Sequence, residues 1–195
     1  MSEVAGRPSA GPETPRERIL ATAFRLFYAR GLRAVGVDTI IAESGVAKAT
    51  FYRHFPAKDD LIVAYLDEVD RIWTGQLRAA AEAAGPDPAE QLVGLFDALA
   101  TACRRPGYRG CAFINAAAES QPGTPVHQRT VAHKQAVLDW VTDLARDADA
   151  TQPEQLAQAL TLLLDGGLAS GALAADPSTP HTARETARAI VQGAI

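Results

Sequence analysis

Only two cysteines, Cys103 and Cys111, occur in the 195 residues. So few thiols, with no export signal ahead of them, point to a reducing compartment and exclude a disulfide framework; the expected location is the cytoplasm. The opening stretch MSEVAGRPSAGPET lacks the basic n-region and apolar core of a secretory signal, and residues 1–14 are expected to be a disordered tail. Long apolar runs are missing as well. The longest, LTLLLDGGLASGALAA at 160–175, is broken by Asp165 and diluted by glycine. It falls short of the roughly 20 residues a bilayer span needs, so a buried helix is expected and no membrane partner.

Catalytic and metal-binding signatures are equally scarce. There is no Ser nucleophile elbow, no P-loop and no HExxH, and His54, His127, His133 and His181 do not cluster along the chain. Cys111 with His127 or His133 and Asn115 supplies the residue types of a Cys-His-Asn set, but nothing in their spacing requires one. Neither CxxC nor paired histidines at ligand spacing occurs. The expectation is therefore no enzyme, no metal and no cofactor. A helical carrier or partner-binding module is the alternative class, distinguished from a DNA-binding protein by whether DNA affinity is present and depends on salt. No β-branched alternation of the kind a strand needs is found either, and alanine is abundant.

What is present is helical text with uneven charge. Hydrophobic residues make up 47% of the chain, enough for a core. Residues 1–58 hold nine Lys/Arg against five Asp/Glu, a balance of +4, whereas residues 59–195 hold ten against eighteen, a balance of −8. A basic N-terminal segment on an acidic body suits one face for phosphate.

From Arg16 to about Arg30 the apolar positions Ile19, Leu20, Ala23, Phe24 and Phe27 form the stripe of an amphipathic helix. Thr14 is placed to cap it, Pro15 to open it and Gly31 to stop it. A second helix is predicted over Val37–Ser44 with Val37, Ile40 and Ile41 inward, ended by Gly45. A third is predicted over Lys48–His54. Two short helices joined by a turn at a glycine make a helix-turn-helix. Val46, Phe51 and Phe55 then anchor the inner face, and Lys48, Ala49, Thr50, Tyr52 and Arg53 are left outward. A recognition helix needs this division, because its outward side chains reach base edges while flanking groups hold phosphates. Ala49 permits close approach, Thr50 suits a phosphate or a thymine methyl, and Arg53 suits guanine.

The runs IIAESGVAKATFYRHFPAKDDL and RILATAFRLFYARGLRAVGVDT resemble the DNA-binding domain of the TetR family of transcriptional regulators. The Gly-Val turn, the pairs Phe51-Tyr52 and His54-Phe55, and Lys58 shortly before Leu61 carry the likeness over residues 16–61. The resemblance implies backbone contacts to double-stranded DNA from Thr50, Tyr52, His54 and Lys58. It implies base or nearby phosphate contacts from Lys48, Ala49 and Arg53. Lys58 also opens the next helix, where a solvated surface role is the alternative. Ala47 and Gly36 stand where the family often has hydroxyl caps, which puts in doubt the phosphate contacts those hydroxyls would make.

Beyond Lys58, helices are predicted at about 58–84, 89–104, 111–121, 126–148, 154–175 and 181–194. With the first three this gives an all-α chain of about nine helices. The helix-turn-helix domain is expected over 15–57 and a larger helical ligand-binding and dimerisation domain over 58–195. The resemblance implies a homodimer through the two C-terminal helices, a palindromic operator, and an unknown small-molecule effector that moves the helix at 58–84 and releases a repressor. Gly167 and Gly171, with Gly166, Ala174 and Ala175 nearby, offer a face another helix could approach. For the effector, Trp73, Phe96, Cys103, Phe113, Asn115 and Glu119 are the candidate contacts, with Tyr108, His133, Trp140 and Asp165 also of suitable type. Asn115 and Glu119 share a helical face. Arg104, Arg105 and Arg109 near the two cysteines suggest depressed thiol pKa values and a redox input, against the plainer role of small apolar residues at helix ends.

Overall fold

The computed structural model describes residues 14–174 and 176–195; apart from Thr14, the expected N-terminal tail lies outside them. All regular structure among the described residues is helical: α1 (Pro15–Arg30), α2 (Val37–Ser44), α3 (Lys48–His54), α4 (Lys58–Ala83), α5 (Pro88–Gly94), α6 (Phe96–Cys103), α7 (Ala112–Glu119), α8 (Pro125–Asp147), α9 (Pro153–Ala174) and α10 (Thr179–Gln192). The single helix expected over 89–104 is two segments parted at Leu95. There the ladder tightens, with Ala98 N–H donating to Leu95 O, a three-residue step. The chain divides into two compact units, Met1–Tyr65 and Leu66–Ile195, with α4 running through the boundary.

The first unit follows from its caps and its apolar stripe. Thr14 and Glu17 form a reciprocal capping box on α1, with Pro15 at the first helical position. Gly45 ends α2 at φ 66°, the left-handed region where a Cβ is costly. Neither Gly36 nor Ala47 caps its helix through a side chain. Packing holds the short helices instead. Ile19, Ala23, Ile40, Phe51 and Leu61 are fully buried, with Leu26, Phe27, Val46, Phe55, Ile62 and Tyr65 close behind. Each large side chain so buried contributes about 1.5–3 kcal/mol. Tyr65 sets its ring edge-on to Phe24 and Phe27 at 5.4 and 5.6 Å.

In the second unit α9 packs against α6, α8 and α10. Its inward residues Leu156, Ala157, Leu160, Leu164 and Leu168 are buried. Because the helix begins at Pro153, its apolar text is longer than the run at 160–175 suggests. An 18-residue window within Pro153–Leu173 reaches mean hydropathy 1.3, so by length and composition alone this helix could cross a membrane. α10 is pinned by Arg188, whose guanidinium donates to both oxygens of Glu90 at 2.8 and 3.2 Å, and by Arg184 to Asp97 at 3.0 Å.

Gly167 and Gly171 on α9 face inward, and the helix they admit closely is one of this chain's own. A Cβ on Gly167 would lie 2.5 Å from Leu99 Cδ2, and one on Gly171 would lie 2.5 Å from Cys103 Sγ. Both glycines let α9 lie close to this chain's own α6. Gly166, by contrast, has open space around it. The side chain of Ala174 and all of Ala175 lie outside the described residues.

Candidate nucleic-acid interface

The site is built on α3. Phe51 is fully buried and Phe55 nearly so; these two residues, four apart, fix which side of the helix turns away from the core. Phe51 meets Tyr52 edge-on at 5.3 Å and Phe55 at 6.1 Å, and the Arg16 guanidinium sits 5.4 Å over the Phe55 ring. The opposite side carries Lys48, Ala49, Tyr52 and Arg53, all exposed, flanked by the half-buried Thr50 and His54. Tyr52 leaves 43% of its surface in solvent, which is unusual for a ring of this size.

Electrostatics leave this face cationic. Lys48 approaches Asp38 at 3.4 Å, but both side chains are well exposed, and such pairs contribute little. Glu43 is engaged elsewhere, accepting from Arg25 at 2.6 Å. That hydrogen bond holds its carboxyl below the usual range. Lys58 differs from the picture given by the sequence: its Nζ donates to the carbonyl of Leu32 at 2.6 Å. It therefore ties the loop between α1 and α2 to the start of α4, in addition to presenting charge.

In the second unit the expected effector contacts differ in exposure. Phe96 and Phe113 are core residues, Trp73, Cys103 and Glu119 are half-buried, and Asn115 is exposed. Asn115 donates to the carbonyl of Arg109 at 3.0 Å, bracing the loop before α7. A cavity of about 270 Å³ lies between α4 and α8, lined by Asp70, Arg71, Thr74, Gly75, Arg78, Ala136, Val137 and Trp140. Of the residues singled out in the sequence only Trp140 lines it. Arg78 stacks over the Trp140 ring at 4.7 Å.

Asp70 and Thr74 of that lining belong to a polar cluster the sequence did not reveal. Asp70 accepts from Arg129 at 2.6 Å, Thr74 at 2.9 Å and His133 at 2.7 Å. Burial alone would raise its pKa, yet these donors hold the carboxyl below its ordinary value. His133 is 1% exposed and lies flat on Phe113 with ring centroids 3.6 Å apart. Burial pushes the imidazole pKa down despite Asp70, so it is the neutral ring that donates from Nδ1. Arg129 also reaches Asp67 at 2.6 Å. Residues 70 and 129 are 59 apart in sequence, so no local pattern could have paired them.

Cys103 does not fit the redox expectation. Burial pushes its thiol up, with only a hydrogen bond to Tyr108 acting the other way. Both cysteines are free thiols.

An exposed basic and aromatic face on the second helix of a helix-turn-helix defines a DNA-binding regulator. The comparisons agree. Residues 19–65 match the family model for bacterial regulatory proteins of the tetR family. A TetR-family transcriptional regulator from Streptomyces coelicolor is 40% identical, with a TM-score of 0.85 over 92% of this chain and 95% of that one. The HTH-type transcriptional regulator EthR of Mycobacterium tuberculosis is 29% identical, covering 90% of this chain and 85% of EthR. The HTH-type transcriptional regulator YjdC of Escherichia coli is 26% identical, covering 78% and 81%. The chain belongs to the TetR family of transcriptional regulators.

Proposed function

We propose that this regulator is a cytoplasmic homodimeric repressor that holds a palindromic operator through α3 of each protomer and lets go when a small molecule binds the second unit. The observation that carries the reading is the outward face of α3, where Lys48, Ala49, Tyr52 and Arg53 are exposed above a core sealed by Phe51 and Phe55. Thr50, Tyr52, His54 and Lys58 serve the phosphates, whereas Lys48, Ala49 and Arg53 approach the bases. Two such helices related by a twofold axis require half-sites about one DNA turn, or a multiple of it, apart.

The second protomer is assigned to the outward side of α9 and to α10. Leu162 and Leu173 are 73% and 88% exposed and share that side of α9 with Gly166, Ala169 and Ser170, which are exposed too. Water-facing leucines at this spacing are a docking face for a second helix pair. For the effector, the cavity between α4 and α8 is the better site than the contacts expected from sequence, with Trp140 as an apolar wall and Phe113 behind it through His133. A ligand there shifts DNA affinity only by its differential affinity for the two states.

The test is fluorescence anisotropy with DNA tiled across the intergenic regions beside the gene, against random competitor, at low and moderate salt. Competitor-resistant binding to one palindromic tile supports the reading. Selection from a random DNA library that returns no enriched palindrome rejects it.

A further inference from the structure

Outside the DNA-binding face and the Asp70 cluster, one group of reactive side chains has no assigned work. Cys111 occupies the N-cap position of α7 with no side-chain cap bond, Lys134 lies on α8 and Asp165 on α9. Lys134 Nζ contacts the Asp165 carboxylate and also stands 3.7 Å from Cys111 Sγ. Three elements therefore bring a thiol, a primary amine and a carboxylate together.

The two nucleophiles are held differently. Cys111 is 8% exposed, and its backbone is fixed from behind. The preceding Gly110 has φ 78°, and a Cβ there would meet Ala172 Cβ at 3.3 Å and Leu168 O at 3.4 Å. Lys134 is 32% exposed and sits on a four-carbon stem that can swing. Lys134 is therefore the mobile partner, and its more exposed side chain is the side from which a small neutral oxidant would approach the thiol.

We propose that Cys111 and Lys134 form an oxidative modification site in which a hydroperoxide closes a sulfenamide bond between Sγ and Nζ. In the first step the thiolate sulfur attacks the peroxide, the O–O bond breaks, and Cys111 becomes a sulfenic acid with release of water. Lys134, its extra proton passed to Asp165 and on to solvent, then attacks the same sulfur. The S–N bond forms as the S–O bond breaks, and the oxygen leaves as a second water. Sulfur is oxidised by two electrons and the peroxide is reduced by two. Sulfenic acids condense with nearby thiols or nitrogen, and the nitrogen here is already at the sulfur. This site stands on side-chain geometry within the second unit and does not depend on the operator reading.

The competing partner is Cys103, and the experiment separates it. The reduced full-length protein is treated with hydrogen peroxide and its intact mass is measured, followed by tryptic peptide mapping. The expected product has lost two hydrogen atoms, recovers them on treatment with dithiothreitol, and gives peptide 110–129 joined to 130–146 with no cleavage after Lys134. Cys103→Ser retains this product. Lys134→Arg, which keeps a cation beside Asp165 and so preserves the fold, loses it, as does Cys111→Ser. Three results overturn the proposal: oxygen retained on Cys111 with trypsin still cutting after Lys134, a two-hydrogen loss that disappears in Cys103→Ser, or one that survives in Lys134→Arg.

Discussion

His133 Nδ1 lies 2.7 Å from Asp70 Oδ1, joining α8 to α4 inside the second unit through a neutral imidazole and a charged carboxylate. Arg129 and Thr74 complete the carboxylate's partners, so one side chain on α4 gathers three donors.

This pairing makes the fold sensitive to acid in two stages. The unfolded chain protonates His133 near the usual value of about 6.5, whereas burial delays that step in the folded state. The His133 contribution is thus complete above that pH and is lost as pH falls through the folded pKa. Asp70, also depressed, contributes above its unfolded value of about 3.9 and is lost at lower pH still. Urea midpoints measured from about pH 7.5 down to about pH 5 should fall, and His133→Gln should flatten that decline. An unchanged slope in the variant would remove His133 as the cause.

Truncating Asp70 to alanine leaves His133 and the Nη2 side of Arg129 without their acceptor. Arg129 keeps Asp67, and the site is partly open to water, so the cost should be about 1–3 kcal/mol. Chemical denaturation of the variant beside Asp67→Ala, whose carboxylate is 58% exposed and should matter by less than about 1 kcal/mol, checks the difference.

Glycines on the second unit divide by what surrounds them. A Cβ at Gly94 would stand 2.6 Å from Ala84 Cβ and 3.0 Å from the Ala80 carbonyl, and backbone cannot yield cheaply. Gly94→Ala should destabilise by about 1–3 kcal/mol. Gly75→Ala, in open space on α4, should gain about 0.5–1 kcal/mol of helix stability. Opposite signs in thermal melts are the expected result.

On DNA, Tyr52→Ala should weaken binding to all sequences. Arg53→Ala should lower the ratio of operator to random affinity by about 1–3 kcal/mol at particular base pairs. Equal losses on operator and random DNA for Arg53→Ala would deny it a base-reading role. Phe51→Ala, which empties the centre of the first unit, should cost about 3–5 kcal/mol of stability and abolish binding through unfolding.

The first unit was legible because its signals are local. Thr14, Pro15, Gly31 and Gly45 mark helix ends within a few residues of the text they punctuate, and Phe51 and Phe55 set a face by spacing alone. The second unit was legible only as helices. Asp70 sits among Asp67, Glu68 and Arg71 and reads as a wet helix face until Arg129 and His133 arrive from far along the chain. The inward Gly167 and Gly171 show the same limit: small residues at four-residue spacing announce close packing, but not against which helix.

Under the phosphate role proposed for Lys58, its bond to the Leu32 carbonyl makes affinity and salt dependence measure different things at this position. A phosphate that recruits the amine must compete with a carbonyl already holding it, so little net free energy is gained. The cation nonetheless displaces condensed counterions as fully as an unoccupied lysine would. Replacing Lys58 by alanine should accordingly reduce the slope of log affinity against log salt by about one, with a smaller loss of affinity than that slope implies, and should also lower the melting temperature of the protein alone.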